Sequence, residues 1–334
     1  MSEQRILKVV LTVTIGLGAD LAATGVFAAE PAVNLGATSF MDGFGDPTGY
    51  GFTYMNYLSW ATANSFKDHD GNDSPIFVNP RLNAVVDLNQ FIYSFAVPDS
   101  FVGQPGIDVI VPLVDLSSST GAGGAPLPDN GFGLGDISVG PFVQFKPVHI
   151  DQRPVFSHRL EFDVVAPTGK YDTSKAINQG SNTWAINPYW AATLLPVHGL
   201  EISTRFQYLY NFKNTNPVPE GPPPAPSSTQ EGQAIFDNFA VAYEVLPHNP
   251  TRAWAHSIRV GLNGYYFKQI TENKADGISG SNTKEQTLGL GPGAMWVASG
   301  NDAFWLNVYF ETAVKNRFAS DVFQIRWAHS FASF

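Results

Sequence analysis

The chain has 334 residues, no cysteine, a formal net charge of −10 and only 14% charged residues. The absence of cysteine excludes disulfide and thiolate chemistry, and the acidic balance argues against a nucleic-acid partner, which requires a basic footprint. Soluble domains carry about 25% charged residues, so the deficit points to a surface that does not all face water.

The N-terminus carries the marks of an export signal. Arg5 and Lys8 form a positive start, and Val9 to Ala19 is an apolar run that ends at Asp20. Val26-Phe27-Ala28 then offers a signal-peptidase site. Residues 1–28 are therefore expected to be a signal peptide, leaving residues 29–334 as one domain. Beyond it no run reaches the ~18 uninterrupted apolar residues of a spanning helix. A closed barrel is the other architecture that satisfies every backbone group in lipid. Residues 29–47 precede the first strand as a periplasmic segment, and Met41-Asp42-Gly43-Phe44-Gly45 within it can tuck into a lumen as a partial plug.

From there the chain reads as twelve strand-like segments, give or take two, whose connectors alternate in length. Long links are expected at Ala61–Pro75, Ser117–Asn130, Thr168–Asn182, Lys213–Gln230 and Gln269–Ser281. Shorter ones fall between them at Pro98–Gly106, Pro147–Pro154, Pro196–Gly199, Pro247–Ala253 and Ser299–Asp302. An up-and-down sheet spanning a membrane produces this alternation, with tight turns on one side and elaborated loops on the other. Arg81–Val97 is long for one strand, and Gly289–Gly293 is a place where the tenth could break.

Within the segments the period is two. Leu200, Ile202, Thr204, Phe206, Tyr208, Tyr210 and Phe212 share one face, and Glu201, Ser203, Arg205, Gln207 and Asn211 share the other. A soluble barrel turns the apolar face inward and an outer-membrane barrel turns it outward, and the pattern alone does not choose. Segments of about 10–16 residues, long enough to cross a bilayer at a tilt, favour the membrane case. So do aromatics near their ends, such as Trp184, Tyr208, Tyr266 and Trp305. The predicted fold is all-β: an antiparallel up-and-down transmembrane β-barrel of about twelve strands.

In such a barrel Arg159, Glu161, Asp163, Arg205, Glu244, Arg259, Glu311 and Arg326 line the lumen. They either neutralise a polar interior or shape a field that filters solutes. Index symmetry about the predicted turns pairs Glu244 with Arg259 and Glu311 with Arg326. No cofactor or metal pattern is found. Gly131-Phe132-Gly133-Leu134-Gly135-Asp136 does not fit a dinucleotide loop, and Asp68-His69-Asp70-Gly71-Asn72-Asp73 lacks the sixth-position Gly and the bidentate Glu of a calcium loop. Ser157-His158 and His256-Ser257 are the adjacent pairs a lipid-hydrolysing barrel would draw on.

Leu134-Gly135-Asp136-Ile137-Ser138-Val139-Gly140-Pro141 resembles the G-D-I…G-P signature of the outer-membrane proteins named for the meta-pathway of phenol degradation. Ala166-Pro167-Thr168-Gly169-Lys170-Tyr171 resembles that family's P-T-G-x-Y segment. Asn178-Gln179-Gly180, Thr183-Trp184 and Asn187-Pro188 resemble the stretch that follows it. The resemblance implies a Gram-negative outer-membrane barrel that takes up small hydrophobic or aromatic compounds passively. Its other partners would be outer-membrane lipid and lipopolysaccharide, and the barrel-assembly machinery. It carries over no substrate-binding residues. A structural or adhesive barrel and a lipid-hydrolysing barrel enzyme are the competing readings. Phe331 keeps the parity of Phe323, Ile325 and Trp327, and the terminal Phe334 does not, so either residue could close the last strand.

Overall fold

The computed structural model describes residues 34–45, 49–98, 100–122, 125–219, 224–252 and 255–331. The expected signal peptide, its cleavage site and Phe334 lie outside them. The barrel strands are β1 (Gly51–Phe66), β2 (Leu82–Ser94), β3 (Gly103–Ser118), β4 (Ile137–Phe145), β5 (Arg153–Ala166) and β6 (Ala185–Leu194). They continue as β7 (Leu200–Asn211), β8 (Ala234–Leu246), β9 (Ser257–Gln269), β10 (Gln286–Val297), β11 (Asp302–Lys315) and β12 (Phe318–Ser330). Each pairs antiparallel with its chain neighbours. β12 returns to β1, from Thr53 opposite Ser330 to Phe66 opposite Phe318, and this closes the barrel. Closure leaves no unpaired edge, the condition for strands in lipid.

The links keep the expected rhythm with two corrections. β1 runs to Phe66, so the first long link begins after Ala61, and β2 is one unbroken strand within Arg81–Val97. On the long-loop side the sixth connector is only Asn316-Arg317, with Asn316 at a φ of 54°. This tight turn resets the last hairpin. Arg326 lies opposite Trp305 and Tyr57 rather than opposite Glu311, which overturns that predicted pair. The Glu244–Arg259 pair is in register. Gly289–Gly293 does not break β10, which pairs with β9 along its whole length.

The inside-out question is settled by exposure. On β7, Ile202 and Phe206 are 42% and 48% exposed, whereas Glu201 and Gln207 are fully buried. The same alternation leaves Leu160, Phe162, Val241, Leu262, Leu306 and Phe310 on the outside. An apolar exterior over a polar interior is the membrane arrangement. Rings gather toward the short-turn rim: Tyr54 meets Trp327 edge-on at 5.8 Å, Trp296 stacks on Phe304 at 5.2 Å, and Phe52 contacts Phe331 at 5.2 Å. Tyr210 and Phe212 pack 5.1 Å apart at the other rim. Amphipathic rings at both ends of the apolar band suit the two headgroup layers.

Candidate functional site

The lumen is occupied by the protein's own N-terminal segment. Residues 34–45 lie inside the barrel, where Phe40 is fully buried and Ala37, Thr38 and Ser39 nearly so. Leu35 packs against Val165, Leu209, Phe236 and Phe267, on the parts of their strands nearest the long loops. Phe40 packs against Ala240, Ala242, Met295 and Trp305 further down. The segment therefore runs along the barrel interior and leaves toward the short-turn rim, where β1 begins. The described part of residues 29–47 is therefore luminal, in the plug position that the Met41–Gly45 stretch allows, rather than periplasmic.

Polar contacts hold it along its length. The Arg205 guanidinium donates in bidentate fashion to the Asp42 carboxylate, at 2.7 and 2.8 Å. The Met41 amide donates to Glu201 (2.5 Å), and the Gly43 amide to the Thr193 hydroxyl (2.9 Å). Tyr309 and Trp305 donate to the carbonyls of Gly36 and Phe40, at 2.7 and 3.1 Å. Asn238 accepts from the Gly36 amide and donates to the Asn34 carbonyl. These side chains come from β6, β7, β8 and β11, so a third of the twelve strands grips the segment. Gly43 passes so close to the wall that a Cβ would sit 2.2 Å from the Thr193 nitrogen and 2.5 Å from the Ser157 oxygen. Only glycine fits there.

The eight charged side chains singled out from the sequence are largely buried. Arg159, Glu161, Asp163, Arg205 and Arg326 are no more than 8% exposed, and the side chains of Glu244, Arg259 and Glu311 are 8%, 11% and 3% exposed. They fall into separate clusters rather than one ring. Arg159 bridges Glu161 and Asp108 (3.5 Å to the latter) and stacks on Phe142 at 3.6 Å. Tyr189 donates to Glu161 (2.5 Å), and Gln90 joins Asp108 to Tyr57. Asp163 stands beside Glu161 against Gly140. Arg259 lies 3.1 Å from Glu244 and 3.6 Å from Glu201. Glu311 takes Tyr265, Ser320 and, at 3.9 Å, Arg317, the turn residue that stands in for Arg326. Arg326 instead lies 3.7 Å over the Trp305 ring, a weakly hydrated guanidinium sheltered by an aromatic face. Between the segment and the acidic wall a cavity of about 50 Å³ is lined by Asn34, Asp108, Glu161, Asp163 and Gln207. That volume holds a water or two.

Sequence reasoning missed Asp108 and Tyr189 as members of the site, placed Asp42 in the plug without its partner, and set Trp305 at a rim, whereas its ring is 7% exposed inside the lumen against Phe40 and Arg326. Parity marks Asp108, which alternates with Ile107 and Val109 on β3, but no local signal ties Asp42 to Arg205, 163 residues away.

The two Ser/His pairs are pulled apart. Neighbouring strand residues point to opposite faces: Ser157 is fully buried against Gln144, while His158 stacks outside on Phe145 at 4.2 Å. Ser257 is buried, and His256 meets His248 edge-on. Neither serine has a histidine base. The Asp68–Asp73 stretch is a turn in which Asp68 accepts from the amides of Asp70 and Asn72. Among the described residues no group of three His, Cys, Asp or Glu side chains is arranged to hold a metal ion.

The glycine-based motifs clamp the long loops. Asp136 accepts from the Gly169 amide (2.9 Å) and from the amide and hydroxyl of Ser181 (2.7 and 2.6 Å). Gly169 and Gly180 then meet so closely that a Cβ on either would lie under 3 Å from the other backbone. Asp136→Ala strands these buried donors, at about 1–3 kcal/mol. The expected result is loss of hydrogen-exchange protection across residues 167–184, with the barrel strands unaffected.

A closed barrel with a lipid-facing apolar exterior, two aromatic rims and a polar, self-occupied lumen defines a transmembrane β-barrel of the outer-membrane class. Residues 63–327 match the family model described as "Putative MetA-pathway of phenol degradation". The chain belongs to that family. Its fold is similar to the COG4313 outer membrane channel from Pseudomonas putida F1, with a TM-score of 0.70 at 15% identity over 87% of this chain and 98% of that one. The β domain of the Bordetella autotransporter BrkA is more distant, with a TM-score of 0.48 at 8% identity, covering 84% and 100%. A search of curated proteins found no match.

Proposed function

We propose that the protein is an outer-membrane channel for passive uptake of small hydrophobic or aromatic compounds, gated by its own N-terminal segment. The observation that carries this reading is the manner in which the lumen is filled. A small barrel with no passage is filled by the side chains of its own strands. Here the filling is a single polypeptide segment held mainly by hydrogen bonds and one ion pair to a polar wall, contacts that can be exchanged for water. Twelve strands enclose too narrow a space for the open pore of a sixteen-stranded porin, which suits small solutes. The solute class follows the family's description. Residues 1–28 are removed on export, the short turns lie in the periplasm and the long loops face outside. Arg159, Glu161, Asp163, Arg205, Glu244, Arg259, Glu311 and Arg326 set the field a solute meets when the segment moves aside.

The test is permeation into lipopolysaccharide-containing vesicles, with phenol, catechol and glucose as probes. Phenol and catechol should enter protein-bearing vesicles several times faster than empty ones, and glucose should gain little. Equal rates in empty and loaded vesicles would remove the channel reading.

A further inference from the structure

The long links on both sides of β8 and β9 enclose a pocket of about 440 Å³ at the long-loop rim. We propose that this pocket is a capture site for an uncharged, hydroxyl-bearing aromatic molecule of one or two rings. The proposal rests on the channel reading and says where the solute first binds.

The first support is that the walls are built before any ligand arrives, as in small-molecule sites. Thr229–Gln230, Lys274–Ala275 and Ile278–Ser279 pair as a small three-stranded sheet that joins the two loops. Asp276 accepts from the amides of Ser227 and Ser228 (3.0 Å each) and from the Ser227 hydroxyl (2.6 Å). Asn273 accepts from the Gly232 amide at 2.8 Å, and the Tyr171 hydroxyl donates to the Asn216 carbonyl at 3.1 Å.

The second support is the chemistry of the lining. Tyr171, Phe212, Pro217, Val218, Pro226 and Ile278 give an apolar, partly aromatic wall on loops that otherwise face water. Ile278 is 76% exposed. Stiff prolines and rings keep such a surface open with little side-chain entropy to lose on binding. Several polar lining groups are already engaged: Ser181 with Asp136, Thr183 with the Phe212 carbonyl, and Thr283 with Glu272. The lining charges are Lys274 against Glu231 and Asp276, a net negative set that disfavours an anionic ligand. Lys274 and Gln230 belong to the same lining and supply polar groups that a ligand hydroxyl can meet.

The Asp276 clamp also fixes how the pocket depends on acidity. The Ser227 hydroxyl, with the serine amides, holds the Asp276 carboxyl below its ordinary pKa. A depressed folded-state pKa means the clamp is fully present above the ordinary carboxylate value of about 3.9 and is lost as pH falls through the lower folded value. Binding should therefore be flat from neutral pH down to about 4 and weaken only below it.

The experiment titrates 1-naphthol into the purified full-length protein in detergent, against a detergent blank, with 1-naphthalenesulfonate as charged control. Saturable one-site binding is expected, at least tenfold weaker for the sulfonate and at least tenfold weaker in Ile278→Asp and Val218→Asp. Leu262→Ala, on the lipid-facing wall, should bind as the wild type does. Non-saturating partition, or equal binding in both pocket variants, overturns the site. The same samples in vesicles separate the two claims. If the wild type passes phenol and the pocket variants bind 1-naphthol normally, the site falls and uptake stands. If binding depends on the pocket and no preparation passes phenol, the site stands and uptake falls.

Discussion

Deleting residues 34–45 should raise single-channel ion conductance by roughly tenfold or more for a lumen of this strand number. The segment fills the space between walls that would otherwise face each other across water. Phe40 alone packs against residues of β8, β10, β11 and β12. Removing it also frees Asn238, Tyr309, Trp305 and Arg205. Their polar groups are then solvated rather than orphaned, so the deletion opens the lumen without unfolding the closed sheet. Planar-bilayer recording of wild type and deletion side by side reads this directly.

Unlocking the segment by one residue should have the second-largest effect. Asp42 and Arg205 are 7% and 10% exposed and form two near-parallel hydrogen bonds. Breaking a buried pair from one side leaves an uncompensated charge, at about 3–5 kcal/mol. Arg205→Ala strands Asp42 on the mobile partner, which can leave the lumen and be hydrated. Asp42→Ala strands Arg205 on the fixed wall, where the Tyr189 ring 4.1 Å away still shelters it. Arg205→Ala should therefore expel the segment more completely, with frequent channel openings and proteolytic cleavage within residues 34–45. The double alanine variant should lie closer to wild type than either single change, because no charge is stranded. Equal behaviour of all three variants would mean the pair does not hold the segment.

How much of this was legible beforehand depended on the range of the interaction. The alternation along Leu200–Asn211 carries both faces of β7, because strand parity is a local property. The Glu244–Arg259 register is equally readable, because Pro247–Ala253 marks its turn clearly. The last hairpin went wrong for a physical reason. Its turn is just Asn316-Arg317, and a small error in the turn centre moves every cross-strand pair. Glu311 consequently meets Arg317 and Tyr265, and Arg326 meets Trp305. The Met41–Gly45 stretch before the first strand was legible as a partial plug, but not the contacts that hold it. Its anchors join residues 101–286 positions apart, and no periodicity encodes contacts of that range.

The central claim, that the N-terminal segment closes the lumen reversibly, can be tested with one covalent tether. The natural chain has no cysteine, so a single introduced pair forms a single disulfide. Ser39 and Asn307 already touch through their side chains at 3.1 Å. Ser39→Cys with Asn307→Cys, placed in the loosened Asp42→Ala background, should give a silent barrel when oxidised. Adding reductant in the same bilayer should start conductance, and re-oxidation should end it. Conductance that is the same before and after reduction, with the disulfide verified by mass spectrometry, would contradict the account.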